Sequence, residues 1–112
     1  MNLKTLIGSL LMAASTLSPS WAQNYPTKPI SLIVPYPAGG PSDFFARKVQ
    51  PDAAAKLGQQ PMIIENIGGA GGAIGMAKLI SAPADGYTLS AGSPMELVLA
   101  PMAIQGVKYK PE

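Results

Sequence analysis

Neither cysteine nor histidine occurs among the 112 residues of this chain. Without thiols there is no disulfide and no thiolate nucleophile. Without imidazole there is no histidine general base, and zinc or haem sites that depend on these ligands are excluded. Charge is sparse as well: charged residues make up 12% of the chain, the net charge is +2, and the basic side chains are scattered. No nucleic-acid or membrane-surface patch follows, so no nucleic-acid partner is expected. Any catalysis would rest on carboxylates, Ser, Tyr or Lys. The acids Asp43, Asp52, Glu65, Asp85, Glu96 and Glu112 show no pairing in the sequence, which disfavours a carboxylate-pair hydrolase. A G-x-x-x-x-G-K-[ST] phosphate loop is missing, and Gly69, Gly71 and Gly75 miss the G-x-G-x-x-G spacing by one residue because Ile74 stands third. A nucleotide-binding α/β enzyme is therefore the weaker reading, and neither an enzyme nor a cofactor or metal is expected.

An apolar run long enough to span a bilayer is also lacking. Lys4 supplies a positive charge, and Leu6, Ile7, Leu10, Leu11, Met12, Ala13, Ala14 and Leu17 an apolar stretch that Gly8, Ser9, Ser15 and Thr16 interrupt and Pro19 ends. That is the profile of a secretory signal, short of the roughly 20 residues of a spanning helix. Ser20 and Ala22 put small residues three and one positions before a scissile bond, so residues 1–22 are expected to be a signal peptide cleaved after Ala22. The absence of a cysteine there excludes a lipid-modified amino terminus. Removing 22 of 112 residues leaves 90 with a net charge of +1, enough for one small core.

Proline and glycine are abundant, at 12 each, and fall between apolar runs as punctuation of a folded chain. Tyr25-Pro26-Thr27-Lys28-Pro29 reads as an extended lead-in. Ile30-Ser31-Leu32-Ile33-Val34 is short, apolar and β-branched, which suits a central strand covered on both faces. Residues 35–41 carry five prolines or glycines at the turn, with Ser42 or Asp43 available to cap the next helix. Phe45, Val49, Ala53 and Leu57 recur every four residues and predict the buried stripe of a helix ending at Gly58, kinked or split at Pro51. Met62-Ile63-Ile64-Glu65-Asn66 predicts a second strand, residues 68–72 a glycine loop, and residues 73–81 a helix stopped by Pro83. Tyr87-Thr88-Leu89-Ser90-Ala91 predicts a third strand, followed by a helix with Ser93 as cap and Pro94 in first position, reaching Pro101. The alternation implies an α/β layer of parallel strands with right-handed crossovers. Ligands of such sheets bind outside the carboxyl ends of the strands, which selects the loops at 37–43, 67–72 and 91–95.

The same residues carry a family resemblance. Tyr25-Pro26-Thr27-Lys28-Pro29-Ile30, then Ile33-Val34-Pro35-Tyr36-Pro37-Ala38-Gly39-Gly40 with Asp43, resembles the start of the tripartite tricarboxylate transporter substrate-binding proteins, or Bug family. Leu57-Gly58-Gln59, Glu65-Asn66, Gly69-Ala70-Gly71-Gly72 with Ile74-Gly75, and Ala84-Asp85-Gly86-Tyr87-Thr88-Leu89 follow in the family's order, so that the resemblance covers residues 25–89. Beyond Leu89 it weakens: the family's Asn-Pro pair is Ala100-Pro101 here. The resemblance implies a periplasmic protein of the type II binding-protein fold whose two lobes close on a small organic carboxylate or related solute and deliver it to membrane permease subunits. Residues 23–112 would then be an incomplete first lobe with the second lobe absent, either a fragment or a truncated product without ligand binding.

The loop at 37–43 suits an anion on its own terms, since Gly39 and Gly40 let backbone N–H groups approach and a helix amino terminus adds partial positive charge. The resemblance places ligand contacts there too, at Tyr36, Ala38, Gly39, Gly40, Ser42 and Asp43, with Ser93 added from the third loop. Asp43 suits a helix cap as well as a ligand role, and it would repel a substrate carboxylate unless a cation, an amine or a water intervened. Tyr36 could contact ligand or cover the strand end, and Ser93 serves equally as a plain cap. Asn66 and the glycines after it read more readily as a tight turn than as a site.

Overall fold

Strand β1 (Ile30–Val34) is the middle of a three-stranded parallel sheet, flanked by β2 (Met62–Asn66) and β3 (Thr88–Ser90) in the order β2-β1-β3. A computed structural model describes residues 25–110 of the chain, so the expected signal segment 1–22 and its cleavage site lie outside the described residues. The register pairs Ile30 with Met62 and Val34 with Asn66 on one side, and Ser31 with Thr88 and Ile33 with Ser90 on the other. Adjacent strand residues point to opposite faces, and Ile33 and Val34 are both 0% exposed, so both faces are covered at the carboxyl end of β1. The α/β reading and the central placement of β1 thus hold. β3 is shorter than its expected five residues, but hydrogen bonds from Ser31 N–H to the Tyr87 carbonyl and from Ala91 N–H to the Ile33 carbonyl continue its ladder at both ends.

Helix α1 (Pro41–Lys56) departs from expectation in three respects. It starts at Pro41 with Gly40 as N-cap and no side-chain cap, because proline is preorganised for a first helical position where its missing N–H costs nothing. It also runs unbroken through Pro51, which removes one bond to the Arg47 carbonyl at an exposed part of the helix, where water can replace it. Finally, its inward residues are Asp43 and Ala46, whereas Phe45 is 63% and Val49 43% exposed. Short side chains let the helix lie close to the sheet, and Gln50 Nε2 reaches the Met62 carbonyl at 2.7 Å from this inner face. The large apolar residues were expected to mark the buried stripe, but it is the small ones that do.

A 3-10 turn (Ala70–Gly72) leads into α2 (Ala73–Ser81), whose buried residues are Ala73, Gly75 and Met76. A Cβ at Gly75 would lie 2.8 Å from the Ile67 carbonyl and 3.0 Å from Pro35 Cα, so only glycine permits this approach. Replacing Gly75 by Ala is expected to cost about 2 kcal/mol in urea unfolding, since both obstacles are backbone and cannot rotate away. After β3 the chain forms a wide π-turn (Met95–Leu99) continuous with the short helix α3 (Ala100–Ala103). The helical path therefore passes through Pro101, and the Glu96 carbonyl five residues before it accepts from the Tyr109 hydroxyl instead of the N–H that proline lacks.

At the amino ends of the strands, Tyr25 packs edge-on against Tyr87 at 5.0 Å, and Lys28 pairs with Asp85 at 3.3 Å while lying 4.3 Å from the Tyr87 ring centre. These contacts tie the lead-in to the turn before β3, at the far end of the sheet from the loops considered next. No helix of the described residues is long and apolar enough to cross a membrane.

Candidate functional site

Because the strands are parallel, the loops after β1, β2 and β3 emerge at one edge of the sheet, and those after β1 and β2 are tied together through Asp43. The residue is 3% exposed. It accepts hydrogen bonds from Gly39 N–H at 2.8 Å, from Arg47 Nε at 3.0 and 3.1 Å, and from Asn66 Nδ2 at 2.9 Å. Asn66 also points its amide toward the Tyr36 carbonyl at 3.3 Å. The Arg47 hydrogen bond, then those from Gly39 and Asn66, lower the Asp43 carboxyl from the ordinary 3.8 to about 2. Its charge is spent inside the protein, where Arg47 neutralises it, so it does not confront a ligand directly.

A second acid organises the loop after β3. Glu96 is 0% exposed and accepts from Ser93 N–H, from Ser93 Oγ at 2.8 Å and from Tyr36 Oη at 2.8 Å. Ser93 Oγ in turn accepts from Met95 N–H at 3.3 Å. Ser93 and Glu96 thus form a capping box, in which serine and a glutamate three residues on satisfy free donors of a helix start. Burial pushes the Glu96 carboxyl up, but the bonds from Ser93 and Tyr36 outweigh it and hold the group below the ordinary value. Tyr36 is drawn down by Ser93, yet burial and Glu96 together raise its phenol above the usual range.

Between these two assemblies lies a cleft of about 420 Å³ lined by Tyr36, Pro37, Gly40, Pro41, Ser42, Ser93 and Met95. It sits where the strand order reverses: the chain leaves β1 toward β2, while β3 lies on the other side, and α/β sheets bind ligands at such a switch point. The amino terminus of α1 forms one wall. Pro41 has no N–H, and those of Ser42 and Asp43 belong to the first turn, which has no intrahelical acceptor for them. Tyr36 and Ser93 line the same cleft. Of the seven residues singled out from the sequence, Tyr36, Gly40, Ser42 and Ser93 meet in this cleft. Asp43 lies beneath it, while Ala38 and Gly39 are exposed outside its lining, with the Gly39 N–H turned inward to Asp43.

Arg47 and Glu96 hold the site together though neither stands out in the sequence, and Asn66, which reads there as a turn residue, anchors Asp43. The Ser93-Pro94-Met95-Glu96 spacing was the available signal for Glu96, whereas nothing local announces the Asp43–Asn66 bond across 23 residues. A further hollow of about 440 Å³ runs between α2 and the segment after α3, walled mainly by Ala70, Ala73, Ile74, Ala77, Ile104 and Val107. We place the site in the first cleft because hydroxyls and free backbone donors converge there.

Residues 45–112 match the family described as the tripartite tricarboxylate transporter family receptor. Protein BugT of Bordetella pertussis is 39% identical over 97% of this chain, which spans 33% of BugT. Among solved structures, MatC of Rhodopseudomonas palustris with bound malate is 34% identical with a TM-score of 0.72, covering 78% of this chain and 29% of MatC. A second R. palustris protein, solved with adipate, is 32% identical with a TM-score of 0.65 over the same shares. The chain thus spans a third or less of the length of each relative.

Proposed function

The chain belongs to the tripartite tricarboxylate transporter receptor family, and from that premise we propose that it supplies one wall of a receptor site for a small organic carboxylate. On this reading the chain is exported to the periplasm with cleavage after Ala22, captures its solute there, and presents it to the membrane permease subunits of the transporter. It is a receptor and not an enzyme. The ligand carboxylate sits at the amino terminus of α1 against Gly40 and Ser42, with Tyr36 and Ser93 lining the same cleft. Asp43 acts through the loop, holding Gly39 and Asn66 in place, and Ala38 forms the rim.

The observation that carries the reading is the meeting of Tyr36, Gly40, Ser42 and Ser93 in one cleft at a sheet switch point. The free N–H groups of the first helical turn suit an anion there. Malate and adipate, bound by the two R. palustris relatives, are dicarboxylates, and a solute of that class fits the charge and scale of the cleft.

A wall alone covers less of a ligand than the 70–90% typical of a closed pocket, so affinity for the 112-residue chain is expected in the range of about 0.1 to 10 mM. Ligand-observed NMR with a panel of mono- and dicarboxylates tests this directly. Saturable binding of at least one is expected; a chain that folds by circular dichroism yet binds none of the panel would sink the proposal.

A further inference from the structure

We propose that Glu96 fixes Tyr36 and Ser93 as hydrogen-bond acceptors toward the cleft, so that the site favours carboxylates bearing a hydroxyl or ammonium donor over those bearing none. The inference rests on the carboxylate-receptor reading and adds a selectivity to it, exerted by a positioning residue that does not itself line the cleft.

A hydroxyl has one proton to donate, and an ionised carboxylate can only accept. Ser93 Oγ and Tyr36 Oη both lie 2.8 Å from the same Glu96 oxygen, Oε2, so both protons are committed to it. The other oxygen, Oε1, takes the Ser93 N–H. What Tyr36 and Ser93 have left for the cleft is acceptor capacity only: both lone pairs of Tyr36, and one of Ser93, whose oxygen already accepts from Met95 N–H at 3.3 Å. Their oxygens stand 3.5 Å apart, close enough for one donor to bridge. The first turn of α1, whose Pro41 and Ser42 line the same cleft, offers N–H groups, so the cleft brings donors and acceptors together from two elements. A solute with a carboxylate and a nearby donor satisfies both sets, whereas a plain dicarboxylate leaves the acceptors unmatched or sets an anion against them.

The niche around Glu96 is built for this group. A Cβ at Gly72 would come 2.6 Å from Glu96 Cβ, and one at Gly92 would come 1.9 Å from Oε1, so two glycines clear its space from either side. Among the described residues no cation pairs with it. Its charge is therefore balanced by hydroxyl and backbone dipoles alone, which keeps those dipoles oriented toward it. Burial opposes ionisation, but the hydrogen bonds outweigh it and keep the group ionised at neutral pH.

The test is titration of the full 112-residue chain with L-malate, succinate and L-aspartate, which share a four-carbon dicarboxylate frame and carry a hydroxyl, no donor and an ammonium respectively. Malate or aspartate, or both, should bind about tenfold or more tighter than succinate, and which of them does so identifies the donor. In Glu96→Gln the side-chain amide can donate to one hydroxyl and free its proton toward the cleft. The preference should then fall to within about threefold while succinate binding is kept. Tyr36→Phe, which removes one acceptor and leaves Glu96 in place, should lower the preference in the same direction, and it decides the matter if Glu96→Gln fails to fold by circular dichroism. Equal affinity for all three ligands overturns the inference and leaves the receptor reading standing. A Glu96→Gln chain that weakens every ligand alike and keeps the ratio shows a structural role only, and overturns it too. Binding of none of the three by a folded chain overturns it, and failure of the wider carboxylate panel removes the receptor reading as well.

Discussion

Asparagine in place of Asp43 lowers the thermal midpoint of the chain by roughly 10 °C, a large shift for a domain of this size. The replacement is isosteric, so packing is preserved and only the acceptors change. All the groups around this carboxylate are donors: the Gly39 N–H, the Arg47 guanidinium and the Asn66 amide. An asparagine amide turned toward them can accept with its oxygen alone, leaving a donor facing a donor on its other branch. The Gly39 loop and the carboxyl end of β2 lose their common anchor, and solute binding should fall with them even though Asp43 does not line the cleft. Acid titration provides a second signature. The Asp43 carboxyl is depressed from 3.8 to about 2, so its contribution is complete above the higher value and is lost as pH falls through the lower one. Between pH 7 and 4 the melting difference between the two chains should stay constant, and from pH 3.8 down toward 2 it should close. Glu65 and Asp85 are depressed in the same direction, by Lys78 and by the Tyr87 N–H first of all, which is why the difference between chains is the informative quantity. A difference that is flat down to pH 2 would assign the Asp43 effect to packing instead of charge.

The sheet was legible because its strands are encoded locally. A five-residue run of β-branched and apolar side chains bounded by prolines has few alternatives, and parallel crossovers through helices follow from the alternation of elements. The inward face of α1 was not legible for a physical reason. A period-four row of Phe45, Val49, Ala53 and Leu57 looks like a buried stripe only if burial tracks hydrophobicity, but here close approach to the sheet favours Ala46 and a fully hydrogen-bonded Asp43. Pro51 misled in the same way, because the carbonyl it strands is on the exposed side of the helix and loses little.

The site divides along the same line. Glycines and a helix start after a parallel strand point to an anion cleft by general rules, and four of the seven residues read from the sequence meet in it. What could not be read is which groups neutralise one another. Asp43 finds Arg47 one turn away on its own helix, a spacing visible in sequence, but also Asn66 at the end of β2, which is not. Glu96 reaches Tyr36 across 60 residues only because the π-turn and two glycines open a niche for it.

That niche makes Gly72 a position where a single methyl group should do severe harm, through its backbone as well as its contacts. Gly72 adopts φ +89°, a left-handed conformation that costs a non-glycine residue about 1 kcal/mol. Its Cβ would in addition lie 2.6 Å from Glu96 Cβ and 3.4 Å from Pro35 Cβ. Glu96 cannot swing aside without abandoning Ser93 and Tyr36, and Pro35 is buried at the end of the central strand. Gly72→Ala should therefore lose about 3 to 4 kcal/mol in urea unfolding, a large part of what a small domain has. Gly71→Ala separates the two causes. Gly71 also has a positive φ, +61°, but its Cβ would meet nothing nearer than Ile104 Cδ1 at 3.5 Å, so only the backbone term of about 1 kcal/mol applies. If the two substitutions cost the same, contact with Glu96 contributes nothing and the niche is loose. A gap of 2 kcal/mol or more between them means that the Glu96 carboxylate is held rigidly enough to dictate where the protons of Tyr36 and Ser93 point.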